Sequence, residues 1–228
     1  KAPVEVRAVP TFIQDGAPNG YYNRAALDGS RPAIYYINLK DTAEWPKFGL
    51  PTLTYHEGIP GHHLHLSLQQ ETDLPMIRRA SFLSAYGEGW ALYAELLAKE
   101  MGVYENDPIG EIGYLQSALF RSGRLVVDTG LHAMGWSREK AIATMRSIDG
   151  SPETAAATEI ERYCVWPGQA CSYMVGKLTW VRLREKAKAA LGDKFDIRAF
   201  HDAGLQSGST PLTVLESVID AYIARAKG

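Results

Sequence analysis

Cysteine is scarce: Cys164 and Cys171 are the only two in 228 residues. Two thiols do not make a disulfide framework, and they can pair or stay reduced, so they fix no redox compartment. Long hydrophobic runs are missing, and no uncharged apolar stretch approaches the ~20 residues of a membrane span. Charge of one sign is missing too. Against 24 Lys and Arg stand 26 Asp and Glu, for a net charge of −2. The cations are dispersed, which argues against nucleic acid as a partner. Internal repeats and low-complexity tracts are absent. There is no signal segment and no initiator methionine before Lys1, which suits a processed or truncated product, so a missing leader carries little weight. With 46% hydrophobic residues, the chain can bury one good core and reads most simply as one domain, residues 1–228.

Histidine is where the sequence concentrates its chemistry. Four of the six fall in Thr54-Tyr55-His56-Glu57-Gly58-Ile59-Pro60-Gly61-His62-His63-Leu64-His65. Zinc takes imidazole nitrogen and carboxylate oxygen, and a catalytic site keeps one position for water. The usual helical arrangement, His-Glu-x-x-His, sets two histidines one turn apart with glutamate as general base. Here Pro60 stands where the second histidine belongs. On an unbroken helix His63 would share a face with His56 but lie roughly 10 Å along the axis, too far to hold the same ion. A bulge at Pro60-Gly61 removes two residues from the count and returns His62 to the face of His56, because proline frees a carbonyl and glycine takes unusual backbone angles. The expected ligands are therefore His56 and His62, with His63 as alternative to His62 and Glu57 as base. A histidine-rich surface helix is the bland alternative.

The next segment, Ile77 to Leu97, has helical apolar spacing and contains Gly87-Glu88-Gly89-Trp90-Ala91-Leu92-Tyr93. A glutamate between two glycines is out of place in an apolar helix, where each glycine costs about 1 kcal/mol. Glycine there admits a close neighbour, backbone or metal. With a turn near Thr72-Asp73-Leu74-Pro75, Glu88 reaches the histidines as third ligand. Glu95 reads as a surface carboxylate or one that supports the site.

These motifs resemble the gluzincin superfamily of zinc metallopeptidases. Gly61-His62-His63-Leu64-His65 is similar to half of the oligopeptidase motif, and Glu88-Gly89-Trp90-Ala91-Leu92-Tyr93 to the third-ligand motif of zinc aminopeptidases. The Gly-Ile-Pro-Gly insertion resembles the bacterial family called domain of unknown function 885, which includes many predicted lipoproteins. The likeness runs from about Tyr21 to Tyr173. It implies one zinc ion, a peptide substrate, a zincin-like helical domain and an N-terminal half outside this chain. It also favours the periplasm or cell envelope, leaving the cytoplasm open. From the family comes a role for the strand Ala33–Leu39 as an edge strand pairing with extended substrate through Tyr36 and Asn38. From it too comes a phenol for the oxyanion, Tyr173 first and Tyr163 second.

The remaining chain reads as a small N-terminal sheet followed by helices, an α+β class dominated by α. Residues 1–50 hold strand-like runs at Val4–Pro10 and Ala33–Leu39; Tyr21-Tyr22-Asn23 reads as loop, with a lining of the cleft as the alternative. From 51 onward helices follow. One opens at the Asp107-Pro108 cap and runs to about Met134. On it Arg121, Arg124, Asp128 and His132 share one face. If that face lines the cleft, Asp128 orients a metal-bound imidazole, and Arg121, Arg124 or His132 contacts substrate, an arginine taking a carboxylate with its planar fork. Further helices are expected from Ser137 to Ile148, after Ser151-Pro152-Glu153, from Gln169 to Leu191, from Asp196 to Leu205 and from Pro211 to Ala226. His201 reads as an exposed bystander. The function expected is metal-assisted hydrolysis, most directly of peptide bonds. A non-peptide amide or ester, or a binding module without catalysis, would carry the same motifs.

Overall fold

The computed structural model describes residues 3–42 and 46–228. Among them the chain forms three strands and ten α-helices, with the sheet entirely N-terminal. The strands are β1 (Val4–Ala8), β2 (Gly20–Asn23) and β3 (Ala33–Ile37). Their order is β1-β3-β2, with β1 parallel and β2 antiparallel to β3. β3 is the most apolar of them, and burial of Ala33, Ile34 and Tyr35 draws it to the middle. Both of its sides are therefore hydrogen-bonded, which overturns the expected edge role: a strand paired on both sides cannot receive a substrate backbone. The expected loop Tyr21-Tyr22-Asn23 is instead part of β2, one of the sheet's two edge strands.

The helices are α1 (Leu50–Glu57), α2 (His62–Glu71), α3 (Met76–Ala80), α4 (Ser84–Glu100), α5 (Pro108–Ala133), α6 (Arg138–Asp149), α7 (Glu153–Val165), α8 (Ser172–Leu191), α9 (Ile197–Leu205) and α10 (Leu212–Lys227). Local chemistry sets several ends. Asp107 accepts from the Gly110 amide ahead of Pro108, and Ser137 from the Lys140 amide. Gly150 ends α6 at φ 71°, a left-handed conformation that suits glycine. The single helix expected from Ile77 to Leu97 is two, α3 and α4. Between them the Ser81 carbonyl accepts from Gln69 and the Leu83 amide donates to Ser209, so partners distant in sequence take the helix's own hydrogen bonds.

Two apolar clusters organise the helices. The larger joins α4, α8, α9 and α10 around Tyr86, Trp90, Tyr93, Trp180 and Phe200. At its centre α4 and α8 cross with backbones nearly touching: a Cβ on Gly89 would lie 2.4 Å from Gly176 Cα, and one on Gly176 2.0 Å from the Ala85 carbonyl. Neither position has room for a side chain. The smaller cluster joins α5, α6 and α7 around Val127, Met145, Ile160 and Tyr163. α1 packs on both α4 and α5, and so stands between them. α5 faces inward with polar groups, Arg124 being 5% and Asp128 3% exposed, while Ile112 (52%) and Leu119 (50%) face water. Among the described residues no helix is long and apolar enough to cross a membrane.

Candidate metal centre

The helix carrying His56 stops at Glu57, and a new one starts at His62. Residues 58–61 are the expected bulge. Gly58 (φ −95°, ψ −125°) and Gly61 (φ −78°, ψ −129°) leave helical geometry, and a Cβ on Gly61 would sit 1.9 Å from the His56 carbonyl oxygen. Only glycine permits that approach. The Trp90 indole N–H donates to the Pro60 carbonyl at 2.9 Å. That clamp comes from the same helix, half a turn beyond Glu88, so loop and glutamate are positioned together.

The result brings three helices to one point. Glu88 Oε2 lies 3.4 Å from His56 Nε2 and 3.2 Å from His62 Nε2. One ligand atom from each of His56, His62 and Glu88 falls within 4.8 Å of the others, with both histidines buried. Two imidazole nitrogens and a carboxylate, crowded away from water, call for a positive charge among them, either protons or a metal cation. Burial alone lowers the His56 pKa, yet hydrogen bonds to Glu88 and Glu95 outweigh it and raise it to about 9. Burial works the other way on Glu88, but the imidazoles hold its pKa far below the usual carboxylate range. The donor set and its spacing fit zinc, which takes nitrogen at about 2.0 Å in tetrahedral sites.

Glu95 has the more consequential supporting role. It is 0% exposed and accepts from His56 Nδ1 at 2.8 Å. Its second oxygen accepts from Thr52 Oγ1 at 2.8 Å and Ser117 Oγ at 2.7 Å. A carboxylate only accepts, so it fixes the proton on Nδ1 and turns the Nε2 lone pair towards Glu88 and His62. Burial opposes its charge, but the bond from His56 and the charge of Arg121 keep its pKa near 2. The surface option for Glu95 is thus overturned. Asp128 was expected to orient an imidazole in this way and does not; its carboxylate accepts from the Gly168 amide at 3.1 and 3.2 Å and from Cys171 Sγ.

Glu57 is 6% exposed. Burial raises its pKa, and the charges of His56, His62 and Arg121 pull it back only in part. Tyr173 stacks on the His56 ring, centroids 6.0 Å apart, and burial with the Glu88 charge raises its phenol pKa. Tyr163 is turned away: it packs in the smaller cluster and its hydroxyl accepts from Arg124 Nε at 3.1 Å. Arg124 also donates to Glu159 at 2.9 Å and lies over the Phe120 and Tyr173 rings at 4.3 and 4.5 Å. Arg121 donates to Ser117 Oγ at 3.0 Å. His132 reaches the Tyr163 carbonyl instead of the site. His63 points to β2, where the Tyr22 hydroxyl lies 3.0 Å from its Nδ1, leaving His62 in the cluster. Tyr36 stacks on Tyr21. The Asn38 amide donates to the carbonyls of Gln14 and Ala17, so its donors serve a loop rather than a ligand.

Several participants were not foreseen: Thr52, Ser117, Trp90 and Glu159. Trp90 carried a local signal in the Glu88-Gly89-Trp90 motif, and Ser117 in its place one turn before Arg121 on the inward face of α5.

The chain belongs to the family described as bacterial protein of unknown function (DUF885), which matches residues 1–219. It is similar to the crystal structure of the putative lipoprotein from Colwellia psychrerythraea, with 52% identity and a TM-score of 0.96 over 98% of this chain and 38% of that one. It is also similar to a putative lipoprotein of unknown function from Shewanella oneidensis, with 25% identity and a TM-score of 0.81 over 95% of this chain and 40% of that one. The chain thus spans two fifths or less of each of these relatives. A search of curated proteins gives no significant match.

Proposed function

We propose that this chain carries the zinc-dependent centre of a hydrolase of gluzincin type, with peptides as substrates. The convergence of His56, His62 and Glu88 from α1, α2 and α4 is the observation that carries this reading. Zinc held there would supply an activated water and polarise the scissile carbonyl. Glu57, adjacent in sequence to His56 and with its proton affinity raised by burial, takes the proton of the attacking water and returns it to the leaving amine. The Tyr173 phenol, stacked beside His56, donates to the oxygen on which negative charge develops. Glu95, Thr52 and Ser117 hold the His56 ring in the tautomer that this chemistry needs. A binding module would have no use for a buried base beside the ligands. Lipoprotein relatives support a place in the cell envelope.

The test is zinc content and hydrolysis of a mixed peptide library. One zinc per chain is expected, lost on alanine substitution of His56, His62 or Glu88. Glu57→Gln should keep the metal and lose turnover. Undiminished turnover in that variant removes Glu57 from the chemistry. Zinc retained in His62→Ala but lost in His63→Ala moves the ligand role to His63. Ester hydrolysis without any peptide cleavage changes the substrate class.

A further inference from the structure

Among the described residues Arg121 is a cation beside this site without a carboxylate partner. Its guanidinium lies 5.9 Å from the centroid of the Tyr173 ring, which in turn stacks on His56, and its charge is felt at Glu57, Glu95 and Tyr173. Yet among the described residues no ion pair engages it, and its hydrogen bond is to the Ser117 hydroxyl through Nη1. Its Nε is buried without a partner. Around Arg124, which also lies over the Tyr173 ring, the balance is similar: Arg124 and Arg162 share Glu159, and one terminal nitrogen of Arg124 is buried without a partner. Two guanidiniums thus share one carboxylate, and among the described residues Arg121 is paired with none. A buried donor left unmatched costs roughly 1–3 kcal/mol, so such donors mark where a ligand acceptor belongs.

We infer that Arg121 recognises a carboxylate of the substrate, so that the centre acts on peptides with a free C-terminus; this rests on the metallopeptidase reading above. The planar fork of arginine takes a carboxylate through two parallel bonds. Here Nε has no partner while Nη1 is tied to Ser117, which holds the fork in a fixed orientation. Arg124, over the Tyr173 ring at 4.5 Å, adds positive field without a direct bond. The recognised group is the terminal carboxylate of a peptide near its scissile bond, and the resulting action is removal of residues from the C-terminal end.

The experiment measures binding separately from turnover. Zinc-loaded Glu57→Gln protein is titrated with an N-acylated tripeptide acid and with its C-terminal amide. The acid should bind at least about tenfold more tightly, the size of a charge-assisted hydrogen bond. Arg121→Gln, in the same background, should abolish the difference with zinc content unchanged. Arg121→Lys should keep part of it, because a point charge cannot pair side-on. Acid and amide binding alike, or neither binding, overturns the inference, as does a preference that survives Arg121→Gln. A purely structural Arg121, acting through Ser117 and Glu95, would instead weaken zinc and affect both ligands equally. Turnover by the chain with Glu57 intact separates the two proposals. Equal hydrolysis of acid and amide keeps the metallopeptidase reading and overturns this one. Acid-selective binding with no hydrolysis of either keeps the carboxylate recognition by Arg121 and overturns the metallopeptidase reading, and with it the removal of C-terminal residues.

Discussion

α4 and α5 both furnish the site, and they are built on opposite plans. α4 is mostly apolar: Tyr86, Trp90 and Tyr93 are at most 1% exposed, and Glu88 and the buried Glu95 are the carboxylates it brings to the site. α5 is turned inside out, with Ser117, Arg124 and Asp128 inward and Ile112, Leu115 and Leu119 outward. Shape holds the first, through aromatic rings packed against α8 and α9. Partners hold the second, through Glu95, Glu159 and the Gly168 amide. Packing contributes by area and tolerates no void. Buried polar pairs contribute little net stability, but losing one partner is costly. Glu88 is therefore placed by dispersion contacts and His56 by a hydrogen-bond chain reaching α5, so the two ligands should fail in different ways.

Trp180→Ala should have the largest effect. The ring is 0% exposed and touches Tyr86, Trp90, Tyr93 and Phe200. Removing it should cost about 3–5 kcal/mol by cavity formation, read from the midpoint of denaturant unfolding. A loss below about 1 kcal/mol would mean that α4 is not held by packing. Glu95→Gln should act on the site and spare the fold. Metal affinity should drop about 10–100-fold, measured by chelator competition, with the circular dichroism of the wild type.

A pH experiment sharpens the α4 side. The Tyr93 hydroxyl accepts from Arg184 at 3.3 Å and lies 3.0 Å from His201 Nε2, so it donates to a neutral imidazole. Burial chiefly, with Arg184 adding repulsion, lowers the His201 pKa from 6.5 to about 4. The folded state then binds fewer protons than the unfolded chain below 6.5, so stability declines as pH falls from 6.5 towards 4. His201→Phe should make that decline shallower by a few degrees in Tm. An unchanged slope would show that His201 does not titrate on unfolding.

How much of this was legible follows from where each signal sits. The break at residues 58–61 could be read because proline and glycine act locally. The choice of His62 over His63 could not be settled, since the point where α2 restarts depends on Gly61 seating against the His56 carbonyl. The mainly helical class, the cap at Asp107-Pro108 and the stop at Gly150 were equally local. By contrast Glu95 was left between two roles and His201 was misjudged, because their partners, His56 and Tyr93, are 39 and 108 residues away. β2 was taken for loop because Gly20-Tyr21-Tyr22-Asn23 is short and becomes a strand only beside β3. The polar face of α5 was visible as a face, but which groups it meets is tertiary: Asp128 turned to Gly168, and Arg124 to Glu159.

The smallest effect is expected on the outer face of α5. Leu119 is 50% exposed, so replacing it removes little buried area, and glutamine matches leucine closely in helix propensity. Leu119→Gln should change stability by no more than about 0.5 kcal/mol. Two residues earlier the helix points inward, and Ser117→Ala takes a donor from buried Glu95 and an acceptor from Arg121. That loss should cost about 1–3 kcal/mol and lower metal affinity as well, because the carboxylate that orients His56 is no longer held on both sides. The pair isolates the inside-out arrangement at constant helix, temperature and solvent. Equal costs at the two positions would mean that the outer stripe is as buried in solution as the inner face, with another surface covering Leu119.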